Sequence, residues 1–525
     1  MRPGGQQVLR PIQAFAFYEM WRMRGLFGPM RVGAGKTLIT LLAPLILNAR
    51  APILVLPAKL IDKTKREMVS LNKHWKIPNH IRIYSYEMLG RVDHVHLLQK
   101  YPLCDLIIAD ECHKLRNPKA AVSRRFKRHF EAHPGCMFIG LSGTITKRSI
   151  RDYEHLMRWA LKPINSPLPM NWGEVEDWSD VLDEHSRDRP APGALAFFTS
   201  QPEPSLKEIR QGYQKRLIET GGIVTTTDHR IDASLLLRGV RYPQGRAINE
   251  AFSTLRDLWE MPDGTPLIDA KSVWRHAREL ALGFWGRWDP YPPDEWMLPR
   301  AEWAKTCRKI LSASRSLDSE KAVVNAIDSG LHRDAAPILR AWRAIKDTFE
   351  PNPVPVWIDP KPLEWVADWC LRNVGIVWTE HVPFANELAK RTKLCYYGRK
   401  GVDEKTGKVL DKHDPTWTCI ASIKSGSEGF NLQAWNTALV TAVVPNGSQS
   451  EQLFGRLHRD GTKHDEVTFD LMLGCREHLT SFWRARSDAQ FVKDTTGEEQ
   501  KLLYADIDVP EDIIDSAPQW ASKDD

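Results

Sequence analysis

The sequence predicts an α/β fold built on parallel sheets, and two observations support that prediction. Short apolar runs of strand length alternate with helical stretches, at 53–56, 81–84, 106–109 and 137–141. Polar residues such as Asp110 directly follow these runs. The alternation is typical of parallel sheets, in which ligands bind beyond the carboxyl ends of the strands. With 525 residues, the chain has room for about three domains.

Composition excludes several classes of protein. Hydrophobic residues make up 42% and charged residues 26% of the chain, so wholesale disorder is excluded. The longest apolar stretch, 38–47, is about half as long as a membrane-spanning helix, and the N-terminus has no signal-peptide block. We therefore expect no membrane partner and a cytoplasmic location. Eight cysteines without a CxxC pair indicate neither a disulfide framework nor a zinc cluster.

Met30–Thr37 has the composition of a phosphate-binding loop, and a run of apolar helix formers follows it. Gly33 and Gly35 allow backbone N–H groups to surround a triphosphate at the start of the helix. Lys36 would then reach the outer phosphates, and Thr37 would hold Mg²⁺. The alternative is a glycine turn before a core helix, because Met30 stands where the strict pattern has glycine.

An acidic pair, Asp110 and Glu111, follows the apolar run at 106–109. Asp110 is suited to hold Mg²⁺ through its water shell, and Glu111 to orient or deprotonate the water that attacks the γ-phosphate. A solvated loop is the alternative for an isolated acidic pair. The position of Asp110 and Glu111 at a strand end, beside a phosphate loop, favours a role in ATP hydrolysis instead.

Three segments occur in the order and form of motifs I, II and III of helicase superfamily two: Gly33–Thr37, the DEAH-like box Asp110–His113, and Ser142–Thr144. On these residues the chain resembles that superfamily. The resemblance implies two RecA-like lobes that bind ATP and Mg²⁺ between them. Leu9–Gln13 is similar to the adenine-recognising leader, which implies that Gln13 contacts the nucleotide.

The second half of the chain resembles the other lobe of the superfamily. Ala421–Leu432 is similar to motif V, with Gly429 as an expected nucleotide contact, and Gln452–Gly461 is similar to motif VI. Arg456 and Arg459 are three residues apart, which places them on one face of a predicted helix. Both are expected to act as arginine fingers on the triphosphate. The alternative is a pair of solvated surface arginines.

Two further segments narrow the resemblance to the Swi/Snf-like branch. Tyr84–Glu87 is similar to a motif Ib, and Trp172–Trp178 lies where Swi/Snf-type ATPases have similar sequence. This branch implies double-stranded DNA as the partner. The chain departs from its pattern at Met30–Val32, at 144–145 and at Asp460–Thr462, without losing a phosphate-contacting or arginine-finger group.

The predicted domains are a first RecA-like lobe at 1–240, a helical insertion at 241–350, a second lobe at 351–495 and an acidic tail at 496–525. The insertion is rich in tryptophan: Trp259, Trp274, Trp285, Trp288, Trp296, Trp303 and Trp342. Such side chains can stack on unpaired bases. The amphipathic pattern around them favours packing in a compact core instead.

Basic residues indicate a surface for nucleic acid. The run 116–129 has six lysines and arginines, among them Arg124 and Arg125, and no acidic residue. A solvated helix face is the alternative. In superfamily two, motifs Ia, Ib, IV and V face the nucleic acid, so the resemblance adds four residues to this surface: Lys59, Ser85, Lys424 and Ser425.

These features predict an ATP-dependent translocase or helicase of the Swi/Snf-like branch, which hydrolyses ATP while moving mainly on double-stranded DNA. Two alternatives stay open. One is an RNA or single-strand helicase of the same superfamily, and the other is an ATP-gated clamp or scaffold that does not move. By the same resemblance, the compact domain organisation favours a protein from the cytoplasm of a bacterium or of a phage-infected cell. We expect it to be a monomer.

Replacing Lys36 by alanine tests the phosphate-loop assignment. The Lys36→Ala variant should lose nucleotide binding or turnover, because it removes the side chain assigned to the outer phosphates. Nucleotide affinity and ATP hydrolysis measure the effect. Unchanged hydrolysis would contradict the assignment.

Overall fold

The computed structural model describes residues 1–31, 33–94, 96–99, 103–143, 149–183, 195–199, 201, 204–226, 231, 233–314, 317, 319–398, 400–426 and 430–509. The strands are β1 (Leu26–Pro29), β2 (Pro52–Leu56), β3 (Arg82–Ser85), β4 (Leu106–Asp110), β5 (Met137–Ser142), β6 (Ser234–Val240), β7 (Phe284–Trp288), β8 (Pro353–Trp357), β9 (Ile376–Thr379), β10 (Tyr396–Tyr397), β11 (Cys419–Ser422), β12 (Thr437–Val440), β13 (Glu466–Met472) and β14 (Asp506–Asp508).

The α-helices are α1 (Pro11–Met23), α2 (Lys36–Leu47), α3 (Ile61–Leu71), α4 (Tyr86–Gly90), α5 (Ala121–Ala132), α6 (Glu154–Asn165), α7 (Trp172–Leu182), α8 (Leu206–Glu219), α9 (Arg246–Ser253), α10 (Ala270–Ala281), α11 (Asp294–Ala313), α12 (Glu320–Asp328), α13 (Ala336–Ile345), α14 (Lys361–Arg372), α15 (Val382–Thr392), α16 (Ile423–Gly426), α17 (Gly447–Phe454), α18 (Arg476–Thr496) and α19 (Lys501–Tyr504). Among the described residues, no helix is both long and apolar enough to span a membrane.

The predicted α/β class is confirmed, because the chain forms two parallel sheets of five and seven strands with helices between the strands. The first sheet has the order β1-β5-β4-β2-β3. The four apolar runs predicted as strands form β2 to β5. Central pairings align Leu54 with Ile108 and Ile108 with Ile139, so the strands share one register of apolar side chains.

Helices cover both faces of the first sheet. On one face, alternate side chains such as Phe27 and Ile107 pack with α5 and α6, while on the other Leu54 and Ile108 pack with α1 and α2. All of these strand side chains are buried. Because both faces are covered, the carboxyl ends of the strands form the open edge at which loop side chains can meet.

The second sheet has the order β10-β11-β9-β12-β13-β6-β14. Strand β6 lies inside the range predicted for the first lobe, at 1–240, but it pairs with β13 from Ser234↔Glu466 to Val240↔Met472. Arg238 in β6 also donates to Asp470 in β13 at 2.8 Å. The second sheet therefore takes its first strand from before position 240, which corrects the predicted boundary.

The segment after 496 also belongs to the second sheet. Predicted as an acidic tail, it forms α19 and then β14, which pairs with β6 at Ile507↔Leu237. Burial of Leu502 beside the core of this sheet explains why the segment folds despite its acidic composition. Residues 510–525 lie outside the described residues.

The predicted insertion contains helices α9 to α13, and β7 pairs antiparallel with β8 beside them. Four of its tryptophans are buried, namely Trp285, Trp296, Trp303 and Trp342, and the other three are half-buried. Trp303 is fully buried, and its Nε1 donates to Glu320 at 2.8 Å. The interpretation of these residues as core side chains is confirmed.

Truncating Trp303 should destabilise the insertion strongly. A Trp303→Ala variant should lose about 3–5 kcal/mol of unfolding free energy, because it leaves a cavity and an unpaired Glu320. Trp417→Ala is the control, since 65% of that side chain is exposed, and it should change stability by less than about 0.5 kcal/mol. Thermal and denaturant unfolding measure both. Equal losses in the two variants would contradict the packing described here.

Candidate active site

The predicted phosphate loop joins β1 to α2, and α2 begins at Lys36 as expected. Gly33 and Gly35 have φ angles of +94° and +79°, a region that L side chains rarely adopt. A Cβ at Gly35 would also lie 2.1 Å from the Nε2 atom of Gln13. Position 35 therefore requires glycine on two counts, and the loop backbone approaches its neighbours closely.

Lys36 reaches back across this loop. Its Nζ donates to the carbonyl oxygens of Met30 at 2.7 Å and Arg31 at 3.0 Å. The ammonium group is half-buried at the mouth of the loop, with Thr37 beside it in the first turn of α2. Both side chains thus lie at the amino end of a 12-residue helix, where the backbone favours anions.

Gln13, the expected adenine contact, holds the loop in place. Its side chain is 5% exposed, and its Nε2 donates to the carbonyl of Gly35 at 3.2 Å. Its Oε1 accepts from the backbone N–H of Arg10 at 3.0 Å. The start of α1 is therefore hydrogen-bonded to the phosphate loop.

The acidic pair lies at the carboxyl end of β4, beside the loop. Asp110 is the last residue of the strand, and its carbonyl accepts from the Tyr86 hydroxyl at 2.8 Å. Its buried Oδ1 has no hydrogen-bond partner among the described residues. Burial, together with the neighbouring Glu111 charge, raises the pKa of Asp110, and the charge of Lys36 opposes that shift. An additional cation at this position would satisfy the unpaired oxygen.

Glu111 has a left-handed backbone, with φ +57° and ψ +49°, which costs a non-glycine residue about 1–2 kcal/mol. Such strain is typical of functional sites. The Ser142 hydroxyl donates to its Oε2 at 3.1 Å, and the Nδ1 of His113 lies 3.2 Å from the same oxygen. Burial would raise the pKa of Glu111, but His113 and Lys36 outweigh that effect and lower it. The carboxylate is therefore held ionised and oriented.

Arg456 and Arg459 do not lie on a helix, which corrects the prediction. Helix α17 ends at Phe454, and both arginines are in the turns that follow. The backbone departs from the helix because the carbonyl of Arg456 accepts from the N–H of Leu432 at 3.2 Å, a partner outside the helix. The guanidinium of Arg456 is buried against the Phe430 carbonyl, and that of Arg459 donates to Asn431.

This arginine turn, residues 455–461, nevertheless faces the first sheet. The guanidinium of Arg10 donates to the Gly33 carbonyl at 2.7 Å and to Asp460 at 2.5 Å. Burial lowers the pKa of Lys63 in α3, and the charges of Arg459 and Arg456 add to that shift. The phosphate loop and the turn that carries the two arginines therefore face each other across the cleft between the sheets.

The C-terminal segment completes the cleft, and sequence reasoning missed it. Lys501 forms an ion pair with Glu451 of α17 at 3.2 Å, with both side chains 2% exposed. Glu498 is buried next to this pair, and neither carboxylate oxygen has a hydrogen-bond partner in the described chain. Burial raises the pKa of Glu498, as does the charge of Glu451, while Lys36 opposes the shift. Through this pair the C-terminal segment holds α17 in position, and α17 leads into the arginine turn.

The candidate nucleic-acid residues divide into two groups. Lys59, Arg124 and Lys424 are exposed at the protein surface. Arg125 is buried and donates to the Leu89 carbonyl, so its guanidinium is engaged within the protein.

Ser85 is also engaged within the protein. It is buried, and its hydroxyl caps α4 by accepting from the N–H of Met88 at 3.0 Å. The side chain of Ser425, and all of Thr144 and Gly429, lie outside the described residues. The predicted nucleic-acid contacts of Arg125 and Ser85 are therefore not available in this conformation.

Neither a scan against protein-family models nor a search of curated proteins found a relative of this chain. Function has to be inferred from the residues and the geometry described above.

Breaking the Lys501–Glu451 pair tests whether this buried ion pair stabilises the packing of α17. Lys501→Met leaves Glu451 buried without its cation, which should cost about 3–5 kcal/mol of stability. The double variant Glu451→Gln/Lys501→Met should recover much of that loss. Lys493→Met, which removes a half-exposed pair with Glu499, is the control and should cost less than about 1 kcal/mol. Equal melting temperatures for Lys501→Met and Lys493→Met would contradict a structural role for the buried pair.

Proposed function

We propose that this chain is an ATP-hydrolysing motor in which two RecA-like lobes close on ATP and move along nucleic acid, with double-stranded DNA as the preferred track. One observation carries the proposal. Arg10 joins the phosphate loop at Gly33 to Asp460 in the arginine turn. A nucleotide held by the loop would therefore contact both sheets.

Binding begins at the phosphate loop. The backbone N–H groups around Gly33 and the amino end of α2 attract the phosphates. Lys36 exchanges the carbonyl oxygens of Met30 and Arg31 for outer phosphate oxygens, which are stronger acceptors because they are charged. Gln13 keeps the loop rigid while this exchange occurs.

Thr37 and Asp110 would hold Mg²⁺. The unpaired, buried Oδ1 of Asp110 fits a hard cation, which prefers oxygen ligands. Bound there, Mg²⁺ supplies positive charge that neutralises the phosphate oxygens.

Glu111 orients the attacking water. Its lowered pKa makes the carboxylate a weak base, so its main contribution is to accept a hydrogen bond from the water and aim it at the γ-phosphorus. Ser142 and His113 hold the carboxylate in that direction. As the water adds, the bond from the γ-phosphorus to the bridging oxygen breaks, and ADP and phosphate leave.

The arginine turn couples hydrolysis to movement. In the closed state Arg459 stabilises negative charge on the γ-phosphate, and Arg456 joins it by exchanging the Phe430 carbonyl for a phosphate oxygen. Loss of that phosphate removes their attraction to the first lobe. The half-exposed link from Arg10 to Asp460 is worth less than about 1 kcal/mol, so it does not prevent opening. Exposed Lys59 and Arg124 on one lobe and Lys424 on the other would grip the phosphate backbone in turn.

ATPase stimulation by three nucleic acids tests this function. The rate should rise most with duplex DNA and less with single-stranded DNA or RNA. Triplex displacement driven by ATP should accompany the stimulation. A preference for RNA or single strands would identify the helicase alternative, and ATP turnover without displacement would favour the clamp.

One test variant and one control variant accompany this experiment. Arg459→Ala should lower the stimulated rate by roughly 10³-fold, which is the usual effect of losing an arginine finger, without lowering the melting temperature. Arg343→Ala, which removes an exposed pair with Asp328 in the insertion, should change neither quantity. Full activity of Arg459→Ala would contradict its role at the nucleotide.

A further inference from the structure

A second group of side chains that could bind a ligand lies on the first sheet, at the edge opposite the phosphate loop. Cys104 and Cys136 come just before β4 and β5, strands that pair from Leu106↔Met137 onward. The amino ends of these neighbouring strands therefore bring the two thiols together. His129 projects toward them from the last turn of α5.

The three side chains form a tight, buried cluster. Their ligand atoms, two Sγ atoms and one ring nitrogen, all lie within 4.8 Å of one another. The side chains are 3–5% exposed. In a tetrahedral zinc site, bond lengths of about 2.0–2.3 Å place ligand atoms roughly 3.5–3.8 Å apart. The cluster would have to contract by at most about 1 Å to hold the ion.

The hydrogen bonding of His129 independently indicates that this side chain lacks a partner. Neither of its ring nitrogens has a hydrogen-bond partner among the described residues, although the side chain is 5% exposed. An unpaired buried polar group costs about 1–3 kcal/mol.

His133 is the nearest histidine that could complete the set. It follows His129 by four residues, and the two ring centroids are 4.9 Å apart. The N–H of Cys136 donates to the His133 carbonyl at 3.0 Å, so the turn that carries both residues is already formed. The half-buried His133 ring would have to turn toward the thiols to join them. With it, the ligands would be a Cys₂His₂ set, a frequent composition of structural zinc sites.

We propose that Cys104, Cys136, His129 and His133 bind one Zn²⁺ ion in a closed, structural site. Each thiol releases its proton to solvent and forms a sulfur–zinc bond, and each neutral imidazole donates one nitrogen lone pair, so no oxidation or reduction occurs. Thiolate and imidazole select zinc over Mg²⁺, which prefers oxygen ligands. The ion would attach the end of α5 to the amino ends of β4 and β5. This inference does not depend on the proposed motor activity.

Metal analysis of the full-length protein tests the site directly. The reduced protein, purified without a histidine tag or chelator, should contain about one zinc per chain. Co²⁺ in place of zinc should give the visible and near-ultraviolet bands of tetrahedral thiolate ligation. Removing zinc with a chelator should lower the melting temperature, and adding zinc back should restore it.

Variants locate the ion. Cys136→Ser and His129→Gln should each lose the bound metal, whereas Cys307→Ser, which alters a buried cysteine in the insertion, should keep it. If the cluster variants fail to fold, the cobalt titration of the wild-type chain decides. Three results would each overturn the proposal. The first is the absence of both zinc and the cobalt bands, and the second is retention of metal by folded cluster variants. The third is a Cys104–Cys136 disulfide in the reduced preparation.

Discussion

The organisation of this protein depends on one constraint, which is that helix-covered parallel strands leave only their two ends open to other groups. The carboxyl ends of β1, β4 and β5 place the phosphate loop, Asp110 and Ser142 at one edge of the first sheet. The amino ends of β4 and β5 place Cys104 and Cys136 at the other. Two chemically different groups of side chains are thus separated by the length of a strand, although they share the same backbone.

Local signals in the sequence predicted much of the first sheet. Gly33 and Gly35 marked the loop, and apolar runs marked β2 to β5, because each feature depends on residues close together in the chain. The pairing of β6 with β13, the turn that carries Arg459, and the buried Lys501 could not be predicted in the same way. Each depends on partners far away in the chain, as Arg10 and Asp460 show at a sequence separation of 450.

The same dependence on residues far apart in the chain explains why the sequence did not predict the zinc cluster. Cys104 is 25 residues from the nearest histidine of the group, so the complete set of ligands does not form a short pattern along the chain. Only the pairing of β4 with β5 brings the thiols together. Burial has a comparable effect in the cleft, where the pKa values of Asp110 and Glu111 move in opposite directions. Neighbouring residues of the same charge type thereby acquire different chemical properties.

The position of β6 also has a consequence for biosynthesis. This strand leaves the ribosome long before its neighbour β13, since Arg238 and its partner Asp470 are 232 residues apart. The first sheet is complete by then and can fold during translation, whereas the apolar Leu235 and Leu237 must wait for the rest of the chain. An unpaired strand is prone to intermolecular pairing. Slow or interrupted synthesis would therefore expose nascent chains to aggregation through β6.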